Sequence, residues 1–155
     1  MDKLEVCKQA RKIAAQSLYK SLKKLLSSKQ PISEVILRDA WLLEMRKNKN
    51  IFPDGWYIPP PHGIGVLFGT EKNVDRLDFK SLRKEKNYPR KDVFLNKKNG
   101  LVFLYAGPIN RDGIIGDMEM TLYFGSNKEI IDYLRLHYRL INQIIDFAEV
   151  GLSFG

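Results

Sequence analysis

"LVFLYAGPINRDGIIGDMEMTLYFG", Leu101 to Gly125, carries the reading of the fold. Its first seven residues are apolar and β-prone and close on Gly107, the pattern of a buried strand. Asp112-Gly113 suits a tight hairpin turn. Beyond it, Met118, Met120, Leu122 and Phe124 alternate with Asp117, Glu119, Thr121 and Tyr123. A strand sends successive side chains to opposite faces, so the two sets belong on different sides of a sheet.

Helices flank this hairpin in sequence. Near the N-terminus, Leu4, Cys7, Ala10, Ala14, Leu18, Leu22 and Leu25 recur at three- and four-residue spacing, with lysines between them. "SSKQPIS" ends that helix, because Pro31 disfavours a helical residue before it. Ser33 then caps a second helix, with Glu34 in its positive first turn. Ile36, Ala40 and Leu43 form its expected buried stripe, widened by Leu37 and Trp41, and it stops among Asn48, Lys49 and Asn50. After the hairpin, Asn127 caps a third helix with Ile130, Leu134, Tyr138, Ile141, Ile145 and Ala148 on one stripe and Gly151 as its stop. Between the second helix and the hairpin, "IFPDGWYIPPPHGIGVLFG" is loop and short strand. The polar run from Thr70 to Asn99 is long enough to require a turn or strand of its own. The order helix, helix, antiparallel strands, helix predicts an α+β fold in one domain, residues 1–155.

Composition narrows the class. A chain of 155 residues with 44% hydrophobic and 28% charged residues is sized and mixed for one globular domain. One cysteine, Cys7, excludes an internal disulfide framework and a cysteine-based zinc site. The simplest setting is a reducing cytoplasm. No stretch resembles a signal peptide, and none approaches the roughly 20 apolar residues that span a bilayer, so no membrane partner is expected. The net charge is +8, from 26 Lys and Arg against 18 Asp and Glu. These bases are spread: Lys20, Lys23 and Lys24, then Arg46 to Lys49, then Lys80 to Lys91. That distribution fits solvated faces and loops better than one patch, so nucleic acid is not an expected partner.

Few residues can carry chemistry. No phosphate-binding loop, zinc-binding H-E-x-x-H helix or G-x-S-x-G nucleophile elbow is present. Cys7 lies on the apolar stripe of the first helix, where a thiol is packed and inert. His137 lies between apolar helical positions and reads as a helix-surface or partly packed histidine. His62 differs. Three prolines, each with fixed φ and no amide donor, deliver the chain to it, and Gly63 and Gly65 leave room for close approach to the backbone. A placed imidazole and a merely solvated one are equally good readings of those residue types. Asp117 and Glu119 share a strand face and could offer oxygen ligands to a cation. A solvent-facing carboxylate row has the same pattern, and the residues alone favour that row.

The order of these features resembles the first half of the pita-bread metallopeptidases, the methionine aminopeptidase and prolidase family. The capped helix "ISEVILRDAWLLEMRKNK" is similar to the family's second helix, and "PPPHGIG" to its loop with an active-site histidine. "LYAGPINRDGIIGDMEMTLYFG" resembles the D-x-G strand, hairpin and D-x-T-R-T strand. "NKEIIDYLRLHYRLINQIIDFAEVGLSFG" resembles the acidic helix start and long helix into Gly-x-Ser/Thr. Nearly the whole chain is covered except a polar insertion at about residues 70–95. The resemblance implies an antiparallel curved sheet with helices on one face. It implies a metal-dependent hydrolase that removes an N-terminal residue or cleaves a prolyl dipeptide, using divalent ions (Mn, Co, Zn or Fe) that polarise a carbonyl and activate a bridging water.

Carried over by residue, His62 matches the substrate-contacting histidine and Asp117 the second ligand aspartate. The first ligand aspartate has no counterpart: its place is Tyr105 by the D-x-G register or Ala106 by spacing, and neither replaces a bridging carboxylate. "VGLSFG" stops where the family continues into a pseudo-symmetric second half carrying a histidine and two glutamate ligands. With one of five expected ligands, one copy of the chain does not assemble a dinuclear site. The expectation is therefore the N-terminal portion of such a hydrolase, inactive alone, completed by a second half or a homodimer. The alternative is a non-catalytic protein that holds a peptide or nucleic acid in a vacant cleft of the same scaffold.

Overall fold

Alternation along the hairpin stretch sets the sheet. In a computed structural model describing residues 3–48, 64–72, 89–106 and 118–147, β1 (Ile64–Thr70), β2 (Gly100–Ala106) and β3 (Met118–Phe124) form an antiparallel sheet in that order. Ile64, Ala106 and Met118 stand in one cross-strand row, and Gly65, Tyr105 and Glu119 in the next. Two helices precede the sheet, α1 (Lys3–Ser27) and α2 (Glu34–Met45), and a third, α3 (Lys128–Phe147), follows it. The fold is α+β. The chain divides into two compact units, Met1–Phe124 and Gly125–Gly155. The Asp112-Gly113 turn, the Gly151 stop and most of the polar insertion lie outside the described residues.

In the first unit, one sheet face meets α1 and α2. Val66, Phe68, Val102, Leu104, Ala106 and Met118 pack into a core with Ala14, Leu18, Leu22, Leu37, Trp41 and Met45, and Met120, Leu122 and Phe124 lie against it. The methionine-bearing face of β3 is the helix-side face, while Glu119 and Thr121 are exposed on the other, so the two sets lie on different sides as the alternation predicts. Leu67 and Leu101, on that other face, are buried too, so β1 and β2 are apolar on both sides.

Small residues let α2 approach α1 closely. The Trp41 indole donates to the Ala14 carbonyl at 2.9 Å. The Ser21 hydroxyl lies within hydrogen-bond distance of the carbonyls of Ser17 (2.8 Å) and Ala40 (3.0 Å). Ser33 caps α2 as expected, its hydroxyl accepting from the Ile36 amide at 3.3 Å. The buried face of α2 differs in part from the expected one. Leu37 and Trp41 are buried as expected, together with Glu34 and Met45, whereas Ile36 is 40% and Leu43 64% exposed. Both stripes satisfy helical spacing; the one that includes the anchored Glu34 and the indole bonded to α1 is turned inward. The helix also ends earlier, at Met45, with Arg46 as its C-cap.

Glu34 is the fixed point of this unit. Fully buried, its carboxylate accepts from the Phe68 amide of β1 (2.8 Å), from the Arg90 amide (2.9 Å) and from the Arg90 guanidinium at both oxygens (2.6 and 3.0 Å). The guanidinium also reaches the Phe68 carbonyl at 3.4 Å. A buried carboxylate persists only with compensation of this kind, and its place at the α2 N-terminus adds the helix dipole. The pair also occupies the outer backbone edge of β1 at Phe68, where a further strand would otherwise dock. The polar run contributes the neighbouring segment: Leu95 donates to Ile32, Glu34 donates to Val93, and Ser33 bridges Phe94. Gly100 closes the following turn, where a Cβ would stand 2.2 Å from the Asn96 carbonyl oxygen.

Candidate functional site

The sheet register brings distant parts of the sequence to one end. β1 and β3 both begin there, on either side of the last residue of β2, because Ile64 pairs with Ala106 and Ala106 with Met118. Two strand spacings separate the two starts, about 10 Å. His62 is two residues upstream of Ile64 and Asp117 one residue upstream of Met118. Both residues lie outside the described residues themselves. What the structure fixes is the pair of strand ends from which their chain segments lead.

On the sheet face away from α1 and α2, the row at this end is Gly65, Tyr105 and Glu119. Tyr105 is half-buried and Glu119 exposed. The pairing places Tyr105 and Ala106 on opposite faces of the sheet. Ala106 is fully buried in the helix-side core. Tyr105 stands beside Glu119, on the opposite face. A phenol there offers a hydrogen-bonding group and an aromatic ring but no bridging pair of oxygens. Further along the same face, the Tyr123 hydroxyl reaches past β2 and donates to the Glu71 carboxylate.

The remaining sequence candidates fall elsewhere. Cys7 is half-buried on α1. His137 is an exposed residue of α3, its ring stacked on Tyr133 at 6.3 Å between centroids and 12° between planes. Asn127 caps α3 through its side-chain oxygen, which accepts from the Glu129 amide at 3.0 Å. Among the described residues no three His, Cys, Asp or Glu are grouped so that they could hold a metal ion. Tyr105 and Glu119 do not by themselves fit a dinuclear metal centre, so no hydrolytic step is derived through one. Among the described residues no helix is long and apolar enough to cross a membrane. Sequence reasoning missed the Glu34–Arg90 pair, whose members are 56 residues apart; Glu34 read only as an acid in the positive first turn of α2.

No protein-family model, no curated protein and no solved structure matches this chain.

Proposed function

We propose that the chain is the N-terminal portion of a metal-dependent aminopeptidase- or prolidase-like hydrolase, without activity by itself. The carrying observation is the common sheet end at which β1 and β3 begin, since His62 and Asp117 attach there. In this reading His62 contacts the substrate peptide and Asp117 is a partial ligand for a divalent ion. A second reading keeps the scaffold and drops the chemistry: a non-catalytic peptide-binding cleft. Tyr105 favours it, because an aromatic ring beside Glu119 suits contact with a peptide better than coordination of a cation.

The test restores what Tyr105 replaces. Calorimetric titration with Mn²⁺ should give little binding to the wild-type chain, since one carboxylate does not hold an ion against water. Tyr105→Asp should gain binding, and Asp117→Asn should remove that gain. Hydrolysis of a methionyl tripeptide or of a prolyl dipeptide should stay absent in the wild-type chain with Mn²⁺, Co²⁺ or Zn²⁺. A Tyr105→Asp protein that folds yet binds Mn²⁺ no better than wild type would refute the assignment of this sheet end as a metal site.

A further inference from the structure

Bases that are scattered in the sequence are gathered by α1. The helix carries seven Lys or Arg and one acid, Glu5. Its apolar side, Val6, Ala10, Ala14, Leu18 and Leu22, is buried, which turns the charges outward. Lys8, Lys12, Tyr19 and Lys23 fall within a narrow arc at helical spacing, flanked by Arg11, and all five are exposed. Lys24 belongs to another cluster, around Glu44, and so does Lys20. Lys20 lies 3.9 Å from Glu44, which Lys47 also pairs; that hydrogen bond, helped by the nearby lysines, holds the Glu44 carboxyl below its ordinary range. Among the described residues, none of Lys8, Arg11, Lys12 and Lys23 has a carboxylate within ion-pair distance.

We propose that the outward face of α1 docks on the phosphate backbone of a nucleic-acid duplex. From Lys8 to Lys23 the face runs about 22 Å, a stretch over which a duplex presents about a dozen phosphates. The cations are mostly lysines, point charges on flexible stems, which position a protein on phosphates without reading bases. Single strands are held by successive aromatic rings that stack on bases, and Tyr19 is alone on this face. An anionic membrane would need an apolar helix side free to enter the headgroup layer; here that side is spent in the core.

The experiment uses the full chain and a fluorescein-labelled DNA duplex of arbitrary sequence, about two helical turns long, in polarisation titrations between about 50 and 200 mM salt. Binding should be micromolar to tens of micromolar at the low end and should fall with log salt at a slope of about −4, the value for four to five released counterions. The triple variant K8Q/K12Q/K23Q should lose about tenfold or more in affinity and show a slope of about −1. A charge-matched control, K91Q/K97Q/K98Q, removes the same number of exposed lysines from another segment and should lose much less. Circular dichroism melts establish that each variant is folded. Equal losses in the two variants would show a non-specific effect of net charge and overturn the proposal. So would a wild-type chain that ignores the duplex at the lowest salt, or one that binds phosphatidylserine vesicles and not DNA.

Discussion

Glu34 joins three segments that are remote in sequence: the start of α2, the middle of β1 and the chain at Arg90. Removing one partner of such a pair leaves the other charged and stranded, so Glu34→Ala should destabilise the protein by about 3–5 kcal/mol. Urea unfolding measures this; a loss below about 1 kcal/mol would mean that the pair contributes little. At this scale the sequence is only partly legible. Ser33 and Asn127 announce their caps because a cap is local: a side-chain oxygen and an amide two or three residues on. The role of Glu34 cannot be read from its neighbours, because both groups that neutralise it are brought in by tertiary structure. Acidic residues in a first helical turn are ordinarily solvated, and nothing local distinguishes this one.

Elements show the same division between local and non-local information. The two faces of β3 follow from strict alternation, and the structure places Met118, Met120, Leu122 and Phe124 on the core side. α2 is harder, because Ile36, Ala40 and Leu43 obey the helical period as well as Leu37, Trp41 and Met45 do. Rotation about the helix axis is set by contacts with α1 and β1, which the period does not encode. The consequence is measurable. Trp41→Ala should cost about 3–5 kcal/mol through loss of buried surface and of the bond to the Ala14 carbonyl. Leu43→Ala, at a position 64% exposed, should stay within about 0.5 kcal/mol. Comparable losses from the two substitutions in thermal or urea unfolding would show that α2 presents the other face. The candidate site has the same limit. Sequence spacing left Tyr105 and Ala106 as alternatives, and only strand pairing sets Tyr105 beside Glu119 while burying Ala106 in the core.

For the whole molecule, the central proposal is that one sheet end binds a peptide N-terminus. The helix–helix–antiparallel sheet–helix order is common to many α+β proteins and does not discriminate by itself. A common end of β1 and β3 is likewise shared by every antiparallel three-strand meander, so the proposal turns on whether the segments bearing His62 and Asp117, which lead into those strands, bind a peptide. The most direct measurement is an ¹⁵N–¹H NMR titration of the full chain with a short peptide beginning in methionine, carried to about ten millimolar so that a Kd in the millimolar range is visible. The account predicts shifts concentrated at Gly65, Tyr105 and Glu119 and their neighbours, reduced strongly in a folded His62→Ala protein. Shifts confined to other elements, or none at the highest peptide concentration, would contradict it.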